Sequence, residues 1–281
     1  MDATNRIAIV TGANQGLGLA LVEGLCRALG PDGVVSLTGR DEARVREAAD
    51  RLRAEGLAAR PAVVDVADAA SVARFAAQIG REHGGADVVI SNAARRMTRE
   101  DPLAAQVRAF VATNNLGTTH VLERFGPLLR DGGRLLVVAS SFGSLRHLPA
   151  HLHARFDRAE SLRAIDDVML AYVDAVERGA AAAEGWPEWI NIPSKVGQVA
   201  SVRVLARAMR GEAERRRLVI DAVCPGLVDT AASRPWFEDM SKAQTPAAAA
   251  ADLVWLATTA YSPELPYGEL VRHREVLPWA G

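Results

Sequence analysis

The sequence predicts an α/β domain built on a doubly wound parallel sheet, and two patterns support this prediction. Short, almost continuously apolar runs alternate with helical patterns along the chain as far as Ser144. A glycine-rich turn, Gly12-Ala13-Asn14-Gln15-Gly16-Leu17-Gly18, follows the first apolar run and opens into the first helical pattern. Apolar strands between helices are typical of a parallel sheet that is covered on both faces. We therefore expect a ligand at the carboxyl edge of the strands.

The predicted elements follow this alternation in order. The predicted strands are residues 7–10, 34–38, 61–66, 87–90, 134–139, 218–223 and 268–276. The predicted helices are residues 17–25, 42–52, 72–79, 102–129, 165–176, 194–215 and 247–257. Between them, residues 145–190 contain no good strand and indicate a helical insertion, and residues 227–245 indicate a lid loop. No repeat or linker divides the chain, so we expect a single domain over residues 1–281.

Length, composition and charge restrict the class of protein. The chain has 281 residues, of which 49% are hydrophobic, enough for one large core. The net charge of −1 indicates no surface for nucleic acid or anionic membranes, so a small-molecule partner is expected. No apolar run approaches the ~18 residues of a membrane span, and no signal-peptide core is visible. The two cysteines, Cys26 and Cys224, form no disulfide framework, which fits a cytoplasmic protein.

The glycine turn has the residue types that a phosphate site needs. Gly12 permits a tight turn, Gly16 leaves room for backbone beside a pyrophosphate, and Gly18 lets the helix pack close to the strand. The N-terminus of the following helix offers free N–H groups and a positive dipole. These features predict a dinucleotide-binding unit, and the alternative is a glycine-rich turn without a ligand.

Six short motifs occur in a characteristic order along most of the chain. They are Thr11–Gly18, Asp65-Val66, Asn92-Ala93-Ala94, Asn114 within Thr113–Gly117, Ser141, and Pro225–Thr230. In this order they resemble the motifs of the short-chain dehydrogenase/reductase family. The resemblance implies a Rossmann-type fold, with Asn114 as a structural and proton-relay residue and Ser141 as a catalytic residue. It also implies cofactor contacts from Gly12, Asn14, Gln15, Gly16, Leu17, Gly18, Asp65, Val66, Asn92, Lys195, Pro225, Gly226, Val228 and Thr230.

Within that family, the sequence is most similar to carbonyl reductases that carry an extra helical segment before the active-site helix. The residues that carry this likeness are Glu184-Gly185-Trp186-Pro187, the insertion itself, Cys224-Pro225-Gly226 and Gly268–Val271. The resemblance implies a monomer, because the insertion covers the usual packing surface between subunits, with a dimer as the alternative.

The end of the second predicted strand indicates which dinucleotide is bound. An NAD enzyme of this kind places a carboxylate there for the ribose 2′-hydroxyl. This chain has Gly39 and Arg40 instead, and a guanidinium suits a 2′-phosphate. The sequence therefore predicts NADP(H), and the alternative is that Arg40 merely pairs with Asp41 or Glu42.

The proposed active-site helix departs from the family pattern of Tyr-x-x-x-Lys. Only two of the 33 basic residues are lysine, and one of them, Lys195, falls at the family lysine that binds the nicotinamide ribose. Four residues earlier stands Asn191 where the family has the tyrosine that exchanges the substrate proton. An asparagine can form hydrogen bonds but supplies no proton at neutral pH. We therefore assign the catalytic positions to Lys195, Ser141, Asn114 and Asn191.

Three functions remain open from the sequence. The first is an NADPH-dependent reductase that transfers hydride to an iminium or hemiaminal carbon of an amine-bearing natural product, with Asn191, Ser141 or Asp229 stabilising the cation. The second is a ketone or quinone reductase that uses water, Ser141 or a histidine as proton donor. The third is a non-catalytic protein that binds NADP(H).

Two groups of side chains near the predicted cleft have open roles. The histidines His147, His151 and His153 lack acidic or cysteine partners at ligand spacing, so no metal site is expected, and rim positions or a surrogate proton donor remain. The tryptophans Trp186, Trp189 and Trp236 fit either the wall of a substrate pocket or the core.

Overall fold

The computed structural model describes residues 5–280, which form one mixed sheet with helices on both faces. The strands are β1 (Arg6–Val10), β2 (Gly33–Gly39), β3 (Ala59–Val63), β4 (Ala86–Ser91), β5 (Leu129–Val138), β6 (Val219–Val223), β7 (Leu270–Arg272) and β8 (Glu275–Leu277). Their order in the sheet is β3-β2-β1-β4-β5-β6-β7-β8. All neighbouring strands run parallel except β7 and β8, which form an antiparallel hairpin. The predicted doubly wound parallel sheet is confirmed, with this hairpin as its edge.

The helices cover the sheet on two sides. They are α1 (Gly16–Leu29), α2 (Glu42–Ala54), α3 (Ala69–His83), α4 (Leu103–Val111), α5 (Gly117–Phe125), α6 (Ala150–Asp157), α7 (Leu162–Glu177), α8 (Asn191–Arg216) and α9 (Pro246–Thr258). Apolar residues of α1, α2 and α9 form the core on one face, while those of α3, α4, α5, α7 and α8 form the core on the other. Of the helices within residues 5–280, none combines the length and the apolar character that crossing a bilayer requires.

The insertion predicted at residues 145–190 contains no strand and forms the outer helices α6 and α7. Helix α7 packs against α4 and α8. Its Tyr172 is fully buried, and the ring lies 4.9 Å from that of Trp186. Aromatic burial of this size fixes the insertion to the domain, since each such ring removes ~150–250 Å² from water.

Several predicted elements have different bounds in the structure. Strand β3 ends at Val63, so Asp65 and Val66 lie in the loop beyond it rather than in the strand predicted at 61–66. The helix predicted at 102–129 ends at Phe125 and contains a π-helical turn, Ala112–Leu116, between α4 and α5.

The prediction also differs from the structure at two sites of the second half. The strand predicted at 268–276 is the β7–β8 hairpin, because His273 and Arg274 adopt positive φ angles of 50° and 67° and form a tight turn. Helix α6 lies inside the predicted insertion, where the sequence indicates a helix only around residues 165–176.

Candidate active site

A cleft of about 610 Å³ opens at the carboxyl edge of the sheet, near the point where the strand order reverses between β1 and β4. This is where doubly wound sheets place their ligands. The predicted cofactor residues that line it are Gly12, Asn14, Gln15, Arg40, Asp65 and Val66. Its other walls come from the loops after β4 and β6, through residues such as Arg95, Met97 and Trp236. The volume suits a ligand larger than a simple metabolite.

The floor of the cleft is a close crossing of two loops. Gly12 has φ +61°, and a Cβ atom there would lie 2.5 Å from the Cα of Ala93. A Cβ atom on Gly18 would lie 2.5 Å from both the Gly12 oxygen and the Asn92 side-chain amide. That amide donates hydrogen bonds to the Thr11 and Gly12 carbonyls at 2.9 and 3.1 Å. Asn92 therefore supports the glycine turn from below, and the glycines keep its upper side open to a ligand.

Helix α1 presents its first N–H groups to the cleft. Its N-cap residue, Gln15, forms no side-chain cap, and the first turn contains no acidic residue. By contrast, α2 and α3 are capped by the carboxylates of Asp41 and Asp68. The uncapped N–H groups and the positive end of the helix dipole suit a phosphate group.

Two arginines border the far end of the cleft, beyond β2. Arg40 and Arg44 both line it, together with Asp41. Arg44 lies 3.8 Å from Asp41, and Arg46 pairs with Glu42 at 2.5 Å, whereas Arg40 forms no ion pair within residues 5–280. The alternative that Arg40 merely pairs with a neighbouring acid therefore does not describe this structure. Arg44 was missed in the sequence, although its position in the first turn of the helix that follows Arg40 could have indicated it.

The three polar residues beside the proposed reaction centre come from α8 and the turn after β5. Ser141 begins that turn, and a Cβ atom on the nearby Gly143 would lie 3.1 Å from the Lys195 carbonyl, so the turn sits directly on α8. Asn191 is the first residue of α8 and is half-buried, one turn before Lys195. The three side chains thus belong to two segments in close contact.

Lys195 is held by neutral groups. Its Nζ donates to the Val138 carbonyl at 3.1 Å and to Gln198 Oε1 at 2.7 Å. Burial lowers the pKa of Lys195 to about 8, against an opposing attraction from Cys224. Asn114 lies in the π-helical turn, and its side chain accepts from the Arg95 backbone N–H at 2.7 Å. Asn114 thus fixes the loop that lines the cleft.

None of the three tyrosines stands beside Lys195 on α8. Tyr172 is enclosed between α7 and Trp186, and burial raises its pKa well above the ordinary range. Tyr267 donates its hydroxyl to the Ala206 carbonyl at 2.9 Å, and Tyr261 lies with it at a shallow pocket beside Leu218 and Val219. The position one turn before Lys195 is held by Asn191.

The histidines are engaged with neighbouring groups. His151 and His153 contact the carbonyls of Glu184 and Leu148 at 3.0 and 2.8 Å. His147 accepts from Arg146 at 3.2 Å, and its ring packs edge-on against Phe142, the residue after Ser141. Burial lowers the pKa of His147, so its ring is neutral at pH 7.

The tryptophans have separate roles. Trp186 lies in the core, which was the alternative to a place in the wall of a substrate pocket. Trp189 packs edge-on against Phe142, with ring centroids 4.9 Å apart, beside the Ser141 turn. Trp236 lines the cleft and lies under the guanidinium of Arg99 at 5.3 Å.

The loop predicted as a lid is joined to the opposite wall. Arg96 donates to the Ala231 carbonyl at 2.8 Å, beside the Arg99–Trp236 contact. Asp229, a candidate for stabilising a cation, instead pairs with Arg234 at 2.7 Å, and this pairing lowers its pKa. Its charge is therefore already neutralised by a neighbour.

The remaining predicted residues lie around the cleft rather than among its lining side chains. The Thr230 methyl group would lie 3.4 Å from a Cβ atom on Gly16, which brings the start of the lid against the glycine turn. Pro225 and Gly226 follow β6 and contact Gln244. The residues that do not line the cleft are Gly16, Leu17, Gly18, Asn92, Asn114, Ser141, Asn191, Lys195, Pro225, Gly226, Val228 and Thr230.

Comparison with known proteins places the chain in a family. The model for short chain dehydrogenases matches residues 6–150. Carbonyl reductase (NADPH) 3 of Mus musculus is 33% identical over an alignment of 288 positions, gaps included, which covers 99% of this chain and 100% of that protein. Carbonyl reductase (NADPH) 1 of the same species is 31% identical over 285 aligned residues, with the same coverage. Salutaridine reductase from Papaver somniferum shares the fold, with a TM-score of 0.78 at 23% identity over 94% of this chain and 99% of that one. This chain therefore belongs to the short-chain dehydrogenase family of oxidoreductases and is carbonyl reductase-like over its whole length.

Proposed function

We propose that this protein is an NADP(H)-dependent reductase that transfers hydride to an iminium or hemiaminal-derived carbon rather than to an unactivated carbonyl. The observation that carries the proposal is Asn191, which occupies the position one helical turn before Lys195 while the three tyrosines lie elsewhere. The proton donor of the family pattern is missing, whereas the rest of the site is retained.

Three features of the cleft support NADP(H) as the cofactor. The glycine turn leaves a cradle that a Cβ atom would fill, and α1 offers uncapped N–H groups. Arg40 has no ion-pair partner among the described residues, which leaves its guanidinium for a 2′-phosphate. The similar carbonyl reductases of Mus musculus carry NADPH in their names. When bound, NADPH supplies the hydride. Lys195 and the Pro225–Thr230 segment would hold its nicotinamide end, while Asp65 and Val66 would border the adenine.

The reaction class follows from what the site cannot supply. Reduction of a ketone generates an alkoxide, and a positioned acid typically contributes 10²–10⁴-fold, about 3–5 kcal/mol of barrier. Reduction of an iminium carbon gives a neutral amine directly, so no proton is required. The amide of Asn191 has no proton to give at neutral pH, and its oxygen can accept hydrogen bonds.

The positive charge on Lys195 can be lost under mildly alkaline conditions. With a pKa of about 8, Lys195 stays mostly protonated at pH 7 and loses its charge at a lower pH than an exposed lysine would. Loss of that charge would remove its repulsion of a nearby iminium ion. The Phe142–Trp189 pair offers an apolar wall beside Ser141, which suits a polycyclic amine.

The second candidate, a ketone or quinone reductase, is favoured by the names of the similar proteins. It needs a donor other than tyrosine. His147 is the histidine closest to the Ser141 turn, but its lowered pKa leaves little of the protonated form that could donate a proton at neutral pH. Water or Ser141 would then have to supply the proton.

The test is NADPH oxidation with matched substrates. We expect turnover with a cyclic iminium such as N-methyl-3,4-dihydroisoquinolinium and little turnover with acetophenone. Asn191→Tyr should raise ketone reduction by about 10–10³-fold by restoring the acid. It should leave iminium reduction flat or reduced, and Asn191→Phe controls for bulk without a hydroxyl.

Three outcomes distinguish the candidate functions. Ordinary rates with simple ketones and none with cyclic iminium ions would overturn the iminium proposal in favour of a carbonyl reductase. If NADPH binds but neither ketones nor cyclic iminium ions cause its oxidation, the protein is better described as a non-catalytic NADP(H)-binding protein. A gain in ketone reduction that Asn191→Phe reproduces would remove the argument from the missing acid.

A further inference from the structure

Gln198 is a buried polar residue that no sequence motif singled out. It lies on α8 three residues after Lys195, on the same face, and is 2% exposed. Its Oε1 accepts from Lys195 Nζ at 2.7 Å. Its Nε2 donates to the Asn114 carbonyl at 2.8 Å and to Thr118 Oγ1 at 3.0 Å. The amide thus uses its oxygen and both N–H groups.

The other end of this connection is the π-helical turn between α4 and α5. The Asn114 carbonyl accepts from the Thr118 hydroxyl at 2.8 Å as well as from Gln198. Asn114 also holds the Arg95 backbone that lines the cleft. A single buried side chain therefore joins the lysine of α8 to the segment that shapes the opposite wall.

We propose that Gln198 is a positioning residue, whose amide holds the Lys195 ammonium against the end of β5 and directly bridges it to the Asn114 carbonyl. At 2.7 and 2.8 Å the two bonds leave no place for a water molecule between these groups. An amide neither gains nor loses a proton at neutral pH, so this bridge carries none. Gln198 therefore provides no path for a proton between Lys195 and the Asn114 carbonyl. The catalytic meaning of this arrangement rests on the proposed function, in which no proton is needed.

The electrostatics agree with this geometry. Lys195 has two neutral acceptors, Val138 and Gln198, and no carboxylate within ion-pair distance in the described part of the chain. Cys224, at the end of β6, is the titratable group that acts on it, and burial outweighs that attraction. A neutral partner at position 198 thus permits the charge on Lys195 to be lost near pH 8, where a carboxylate would retain it.

The test uses the scarcity of lysine in this chain. Lysine labelled with ¹³C at the ε position gives side-chain NMR signals from Lys195 and Lys242 only, and Lys242→Arg assigns them. The Lys195 signal is followed against pH in the wild type, Gln198→Met and Gln198→Glu. Methionine is of similar length and removes the acceptor, whereas glutamate adds a charge beside Nζ. The matched control is Gln78→Met on the exposed face of α3, where Gln78 bonds Glu82.

We expect the Lys195 midpoint to fall by about 1–2 units in Gln198→Met, since one bond to the charged form is lost. In Gln198→Glu it should rise by about 1–3 units. The pH profile of kcat should move in the same directions, and Gln78→Met should leave both unchanged.

A Lys195 midpoint that stays at the wild-type value in the folded variants would overturn the proposal, as would an equal shift in Gln78→Met. If Gln198→Met fails to fold, Gln198→Glu decides alone. The titration needs no substrate, so its failure is distinguishable from failure of the proposed reductase activity.

Discussion

Replacement of Arg40 by alanine tests the assignment of the cofactor most directly. Arg40 lines the cleft and has no ion-pair partner within residues 5–280, so its guanidinium is available to a 2′-phosphate. Arg44 also lines the cleft but shares its charge with Asp41 at 3.8 Å. We therefore expect Arg40→Ala to cost more NADPH affinity than Arg44→Ala.

The size of the effect follows from the number and exposure of the bonds lost. Hydrogen bonds to charged groups contribute about 1.5–3 kcal/mol, which corresponds to about 10–150-fold in Kd. Arg40 is exposed at the mouth of the cleft, so solvent screens its charge. We therefore expect a loss of NADPH affinity at the lower end of this range, about 10–30-fold in Kd. NADH lacks the 2′-phosphate, and its affinity should barely change.

The assay is calorimetric titration of NADPH and NADH into the wild type and each variant. Arg46→Ala is the matched control, because Arg46 lies on α2 as Arg44 does, pairs with Glu42, and does not line the cleft. Equal losses for NADPH and NADH, or a loss in Arg46→Ala as large as that in Arg40→Ala, would refute the assignment.

Four further results are expected. Asp41→Asn keeps the side-chain oxygen that caps α2 but removes a negative charge from the cleft, so calorimetry should show NADPH binding a few-fold tighter and NADH unchanged. Lys195→Ala should lower steady-state NADPH oxidation strongly and Asn191→Ala much less, because the lysine orients the cofactor; the reverse ranking would contradict the assigned roles. Light scattering should give the 30.0 kDa of one chain, because the 145–190 insertion covers α4 and α8, and a mass near twice that value would indicate a dimer. The Lys195 pKa falls from 10.5 to about 8 on folding, so the unfolded chain binds more protons between these values, and chemical denaturation should show wild-type stability rising across this range relative to Lys195→Met.

The main strands and the cleft could be predicted because local signals determine them. Buried parallel strands are apolar along their whole length, and the glycine turn marks the first crossing of strand and helix. Arg40 was predictable because it directly follows the glycine that ends β2. These features depend on residues that are neighbours in the sequence.

Other features depend on contacts that the sequence does not display. The π-helical turn at Ala112–Leu116 leaves the helical pattern almost unchanged, so the sequence predicts one long helix there. The β7–β8 hairpin turns at His273 and Arg274, which are not usual residues for positive φ angles. Gln198 lies between Lys195 and Asn114 only after α8 has packed against the π-helical turn. For such residues the informative neighbour is distant in the sequence.

The crossing beneath the cleft has a consequence for how the protein folds. The Thr11 hydroxyl accepts from the backbone N–H groups of Asn92 and Ala93, which are 81 and 82 positions away along the chain. These hydrogen bonds form only when β4 lies beside β1 in the sheet. The chain between them, which contains β2 and β3, must be closed into a long loop first. The glycine turn is synthesised early, but the dinucleotide site is complete only when the segment after β4 has joined it. A bound nucleotide therefore stabilises the folded sheet by mass action and does not stabilise a chain that contains the glycine turn alone.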